Sequence, residues 1–335
     1  MEHNFTIIPY NPMYSKEWDI FVRTRSRNGG IFHEQKFLSY HKKGKFQDMS
    51  ILLYKGDKLF GVFPCVENES CNQAIIVSHP GSSYGGLVFH FNAKTRDVLS
   101  MLDGLINYYN QLNYFSIEMQ LSEPIFCHPI GEELDFLLWH RGFTLKSKEI
   151  STCVQLSQDK IWKLHGRKKN ITDINNLTRK GFEFGESDSL KEIYPIIENN
   201  LKSRYNKAPT HSIDELHLLK KLYPNKINLW LVKYLGKPIC TAVSFIVNET
   251  AVHDFYIAQD YNYSKYNVMP FLFYNIFDHY SNKGFKWYNF GISSRKENIK
   301  WGILEFKERM GGRATTRNMY LLQNLAEYVA YQPTK

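Results

Sequence analysis

Residues 284–313, GFKWYNFGISSRKENIKWGILEFKERMGGR, decide how the rest of the chain is read. An aromatic, alternating run predicts a short strand at 286–290, followed by a tight turn at 291–293. A polar loop is expected at 294–300, then an amphipathic helix at 301–310, stopped by Gly311-Gly312. Trp301, Leu304 and Phe306 fall near one apolar side of that helix, and Lys307 follows at its edge. A lysine there reads either as a stem snorkelling along the surface or as a group that does chemistry.

Working outward, the second half predicts helices near 190–205 and 213–222, a hairpin through NLWLVKY and PICTAVSFIVN, a strand at 251–258 and a helix at 270–282. A last strand is expected at 319–322. The first half runs in the same order. Helical stretches at 18–28 and 32–41 precede a hairpin, MSILLY to LFGVFPCVEN, and a strand at 74–78. A helix at 97–113, a strand at 114–120, a short helix at 132–141 and a strand at 152–156 follow. YKGDKLFGVF at Tyr54 matches YLGKPICTAV at Tyr234 in pattern. LDFLLWHRGF parallels ILEFKERMGG. These correspondences indicate a duplicated α/β (α+β) unit with mixed, mostly antiparallel sheets. Setting Gly142 against Gly311 puts Leu138 where the second copy has Lys307, so only one copy carries the lysine.

The chain has 335 residues, 43% of them hydrophobic and 22% charged, which suits a packed core rather than disorder. The net charge is +9, and its distribution is uneven: residues 1–150 sum to −1 and residues 151–335 to +10. That half suits either a phosphate-bearing ligand or a solvated basic surface. Five scattered cysteines without a CxxC pair indicate a reduced, cytoplasmic setting. No signal-peptide pattern and no run of about 20 apolar residues is present. The histidines show no HxH or HExxH spacing, so no metal is expected, and no helix-turn-helix or zinc signature points to DNA.

YNFGISS followed by GILEFKERMGG resembles the closing signature of the Fem-like branch of the GNAT acyltransferase superfamily, which includes peptidoglycan-bridge enzymes and BioF2-like acetyltransferases. SSYGGLVF resembles its first-unit Tyr-Gly-Gly loop, HGRKKN with TRKGFEF its basic helix, and LKSRYNKAPTHSIDEL its Arg…His segment. The resemblance covers roughly residues 15–325. It implies tandem GNAT folds: a degenerate, acceptor-binding domain at 1–158 and a catalytic domain at 159–335. It also implies N-acyl transfer from acyl-CoA, such as acetyl-CoA, to an amino sugar of a nucleotide- or lipid-linked cell-surface polysaccharide precursor. The alternatives are an aminoacyl-tRNA-dependent ligase of peptidoglycan cross-bridges and a non-catalytic binding protein. Peripheral membrane contact is compatible with a lipid-linked acceptor.

Residue by residue, the resemblance makes Lys307 the donor to a developing oxyanion. On the strand AVHDFYIA, alternation puts Asp254 and Tyr256 on one face and His253 with Phe255 on the other. Tyr256 is then a substrate contact. Asp254 is either a base or a strand-end carboxylate. His211 is either a base titrating near neutrality or a helix-entry residue before an N-cap at Ser212. Arg204 is set to grip an acceptor phosphate. Asn289, Tyr84 and Gly85 join the substrate set. Arg167 and Lys168 are placed on the cofactor's phosphates. Tyr266 and Asn267 lie in DYNYSKYNVMP, which stands where GNAT enzymes have a glycine-rich pyrophosphate loop but contains no glycine. Gly291 and Ser293, at the strand end, are also placed with the cofactor.

Overall fold

The computed structural model describes residues 5–160, 162–165, 176–296 and 298–328. The chain forms two units, Met1–Glu149 with Thr316–Lys335, and Ile150–Thr315. A single cut between residues 158 and 159 does not describe them, for a reason that lies in the strand pairing.

The first unit contains β1 (Thr6–Pro9), α1 (Ser15–Thr24), α2 (Gln35–Leu38), β2 (Gln47–Asp48), β3 (Ile51–Lys55), β4 (Lys58–Phe63), β5 (Cys65–Ser70), β6 (Gln73–Ser78), β7 (Val88–Phe89), α3 (Thr95–Gln111), β8 (Ser116–Gln120), α4 (Glu133–His140) and the start of β9 (Thr144–Gln155). The expected helix at 32–41 breaks into a 3-10 turn at Ile31–His33 and the short α2, because Glu34 between them is extended. β6 and β8 pair in parallel, with α3 as their crossover. The α3 face carrying Val98, Leu102, Leu105, Ile106 and Tyr109 is buried in one cluster with Leu134, Leu137 and Leu138 of α4.

The second unit contains α5 (Trp162–His165), β10 (Phe182–Glu186), α6 (Leu190–Tyr205), α7 (Ile213–Leu222), β11 (Ile227–Tyr234), β12 (Lys237–Ile246), β13 (Ala251–Gln259), α8 (Val268–Asn282), β14 (Trp287–Ile292), β15 (Ser294–Arg295), β16 (Asn298–Ile299), α9 (Trp301–Arg309) and the start of β17 (Arg313–Gln323). β10 to β13 form an antiparallel meander, and α8 crosses over to β14, which pairs with β13 in parallel. This is the β6–α3–β8 arrangement again. The residues at 294–300, expected as a loop, close into a hairpin in which Ser294 pairs with Ile299 and Arg295 with Asn298.

Each unit is completed by the closing strand of the other copy. Residues 151–155 of β9 pair antiparallel with β14, and Met319–Gln323 of β17 pairs antiparallel with β8. The two closing strands are exchanged, so the unit boundaries fall inside β9 and β17.

Candidate active site

The site in the second unit begins where β13 and β14 stop pairing. Their parallel register covers only Ala251–His253 against Trp287–Asn289, yet β13 continues to Gln259 and β14 to Ile292. Among the described residues, no strand pairs with that edge of β13 beyond His253. An extended, amide-bearing chain can take the place of the missing strand. β14 turns away through Gly291, whose φ of +74° is a region that L side chains rarely adopt.

The helix α9 aims a cation at this opening. Leu304 and Lys307, three residues apart, form its buried face, while Trp301 is 61% exposed. Lys307 is 3% exposed, so the snorkelling reading and the placement of Trp301 on the apolar side are both corrected. Its Nζ donates to the Gly291 carbonyl oxygen at 2.7 Å and to that of Ile292 at 3.0 Å. Those acceptors are what makes a buried ammonium tolerable. The helix ends with Gly312 N–H on the Lys307 carbonyl oxygen and Gly311 N–H on that of Glu308. In the first unit, Phe143 N–H reaches the Leu138 carbonyl oxygen and Gly142 N–H that of Trp139. The matched caps establish Leu138, fully buried, as the counterpart of Lys307.

On the side of the sheet shared by the paired residues His253 and Asn289, a polar cluster surrounds the opening. Asn289 Oδ1 accepts from Gly291 N–H at 2.7 Å and stands 2.9 Å from His253 Nδ1. Its Nδ2 donates to Ser151 Oγ at 3.3 Å. A Cβ on Gly291 would sit 3.4 Å from His253 Cε1, so the ring edge lies against that glycine. Ser293 Oγ and Thr152 Oγ1 are buried without a hydrogen-bond partner. The sequence does not mark out the pairing of His253 with Asn289, because the two are 36 residues apart.

The expected pairing of Asp254 with Tyr256 on one face is overturned by a bulge. Val243 pairs with Tyr256 but Ser244 with Asp254, leaving Phe255 as the extra residue. Val243 and Ser244 point to opposite faces, so their partners do too. Asp254 enters a buried polar group: Ser244 Oγ–H donates to its Oδ1 at 2.6 Å, and Trp230 Nε1–H donates to Ser244 Oγ at 3.1 Å. Its Oδ2 has no hydrogen-bond partner. Burial pushes the carboxyl up to about 7, against the lowering pull of Ser244, Tyr288 and Lys307.

Tyr256 instead meets His211. Its hydroxyl accepts from His211 N–H at 2.9 Å and lies 3.1 Å from Nδ1. Burial pushes the Tyr256 phenol up to about 12. Ser212 caps α7 by accepting from Glu215 N–H, with Glu215 reaching back to Ser212 N–H, so His211 does enter a helix. The His211 ring is 4.6 Å from that of Phe255. Arg204, at the end of α6, lies over the Tyr261 ring at 4.9 Å and hydrogen-bonds its hydroxyl.

Of the residues placed with the cofactor, Gly291 and Ser293 stand at the opening, and Arg167 and Lys168 lie outside the described residues. Tyr266 packs on Phe182 and Tyr234. Asn267 adopts a left-handed φ of +53°, doing at the entry to α8 what a glycine does elsewhere. In the first unit, Tyr84 is buried with its hydroxyl on Glu123 at 2.7 Å, and Gly85 sits under Ser78. That unit has its own open groove of about 780 Å³, lined by Lys16, Lys36, Lys42, Asp19, Gln35 and His79 among others. Gln35 Nε2 there is buried without a partner. Burial raises Asp19 to about 6, and burial with neighbouring His41 and Lys45 lowers His79 to about 3. Among the described residues no cluster of three or more His, Cys, Asp or Glu side chains could hold a metal. None of the helices among them is long and apolar enough to cross a membrane.

Two α/β units, each with parallel strands joined by a crossover helix and completed by a closing strand, and one with a buried lysine where those strands part, make up a tandem GNAT fold. The structure of FemX superposes with a TM-score of 0.71 at 12% identity, covering 96% of this chain and 98% of that one. L-PGS from Bacillus licheniformis matches with a TM-score of 0.58 at 11% identity over 92% of this chain and 91% of its own. A tandem GNAT protein from the clavulanic acid biosynthesis pathway matches with a TM-score of 0.55 at 8% identity, over 99% and 100%. No family profile and no curated protein sequence matches the chain.

Proposed function

We propose that this protein is a GNAT-type N-acyltransferase that moves an acyl group from acyl-CoA to an amino sugar on a nucleotide- or lipid-linked precursor of a cell-surface polysaccharide. The observation that carries the reading is the Lys307 ammonium, buried where β13 and β14 part, its charge anchored by the Gly291 and Ile292 carbonyls. An acyl donor lying along the free edge of β13 brings its carbonyl near that charge. A fixed cation there stabilises the oxyanion that forms when an amine attacks. Asp254 lies on the opposite face from His253 and Tyr256. Its part is electrostatic, as the counter-charge to Lys307, with no direct contact to the amine. Tyr256 and His211 shape the amine side of the opening, and Arg204 meets an acceptor phosphate. The first unit recognises the acceptor, its groove offering Lys16, Lys36 and Lys42 to an anionic headgroup. On this reading the enzyme works in the cytoplasm.

A second donor deserves its own test. The +10 charge of residues 151–335 and the glycine-free entry to α8 suit an aminoacyl-tRNA better than a compact pyrophosphate. Purified protein incubated with acetyl-CoA or with aminoacyl-tRNA, each with amino-sugar nucleotides, separates the two by mass spectrometry of the product and by ribonuclease sensitivity. Binding of the sugar precursor with no transfer from either donor would leave a non-catalytic binding protein.

A further inference from the structure

We infer that His253 is the proton acceptor for the attacking amine and that Asn289 fixes its tautomer; the inference rests on the acyl-transfer reading above. Gly291 N–H, a donor by necessity, lies 2.7 Å from Asn289 Oδ1, which identifies that atom as the oxygen of the amide. An oxygen 2.9 Å from His253 Nδ1 can only accept, so Nδ1 carries the proton. The lone pair of the neutral ring is therefore on Nε2. Asn289 is fully buried and His253 is 7% exposed, so the pair is held without solvent competing for it. One asparagine thus sets both the turn at Gly291 and the protonation state of the ring beside it.

In the transfer, the acceptor nitrogen bonds to the carbonyl carbon of the acyl donor. The bond from that carbon to the donor's sulfur or ester oxygen breaks, and its electron pair leaves with that atom. The proton lost by nitrogen passes to Nε2, and the imidazolium returns it to the leaving thiolate or alkoxide. No further reactant is needed. Among the described residues, the charged and titratable groups near His253 include Lys307 through the Gly291 carbonyl, His211 and Tyr256 beyond Phe255, and Asp254 on the opposite face of its own strand.

The test uses the full chain with acetyl-CoA and with aminoacyl-tRNA as donors. Asn289→Asp keeps both hydrogen bonds and places a carboxylate on Nδ1–H. The acidic limb of its pH–rate profile then moves up by about one unit or more. His253→Gln, checked for folding by its thermal melt, loses about 10²-fold or more in kcat. Nitrogen-15 imidazole spectra of the resting protein show the Nδ1–H form of His253 in wild type. A pH profile unmoved by Asn289→Asp, an Nε2–H tautomer, or a His253→Gln variant at wild-type rate would each overturn the inference while leaving the acyl-transfer reading intact. Absence of turnover by wild type with either donor would overturn both.

Discussion

Lys307 and Gly291 are joined across sixteen residues by a 2.7 Å hydrogen bond from Nζ to the carbonyl oxygen. It ties the only cation on the buried face of α9 to the point where β14 leaves its parallel partner. Lys307→Ala is expected to lower the transfer rate by about 10²–10³-fold through loss of oxyanion stabilisation. It also strands the two carbonyls, at a cost of about 1–3 kcal/mol read from denaturant titration. Lys307→Arg, which keeps the charge on a longer and planar group, should recover stability better than rate. A Lys307→Ala enzyme with wild-type kcat would remove the lysine from the chemistry.

Asp254 supplies a stability signature with a definite sign. Its folded value of about 7 lies above the ordinary carboxylate value of 3.8, so the folded state binds more protons than the unfolded state between those limits. Its stabilising contribution is fully present below about pH 4 and is lost as pH rises through about 7. Asp254→Asn removes the titration. The difference in stability between the variant and wild type should therefore grow in favour of Asn from pH 4 to pH 7 and flatten above it. Paired melts across that range measure this, and a pH-independent difference would contradict it.

Gly291→Ala tests the turn. The positive φ strains any L residue, and the added Cβ comes to 3.4 Å from His253 Cε1. A loss of about 1 kcal/mol in stability is expected. The rate should fall by more than that loss explains, since strain at this turn shifts the Gly291 carbonyl that holds Lys307 and the Gly291 N–H on Asn289. Gly236→Ala, also at positive φ but with open space around it, serves as the control: the same strain with no change in rate.

The groove of the first unit should affect binding more than chemistry. Lys36→Glu and Lys42→Glu reverse charges that line it. An anionic acceptor is then expected to show a KM raised about tenfold or more with kcat little changed, an effect that shrinks as salt is added. A drop in kcat alone would move these lysines away from acceptor recognition.

The period of apolar residues was enough to locate α6, α7 and α9 to within a residue or so, because each is an amphipathic helix with a signalled end: Ser212 before α7, Gly311 after α9. The repeat was also legible, down to the equivalence of Leu138 with Lys307. The bulge at Phe255 was not. Nothing in AVHDFYIA announces an extra residue, since the bulge exists only in register with β12, and one inserted residue sends Asp254 and Tyr256 to opposite faces. The exchange of closing strands was hidden for a similar reason. β9 and β17 each follow a helix closed by glycine, and only their pairing says which copy each completes.

Lys307 shows where the line falls. By itself the sequence determined that a helix ending in Gly311-Gly312 would carry a lysine after Phe306, in one copy of a duplicated α/β unit. Local periodicity and glycine stops are short-range properties, and they survive without knowledge of neighbours. Only the tertiary structure decided that this lysine is buried, that its ammonium meets two carbonyls at the end of β14, and that His253 is held by Asn289 beside them. Those facts depend on hydrogen bonds between residues 15 to 36 positions apart, which form only when the strands are in register and desolvation drives most buried polar groups to find partners.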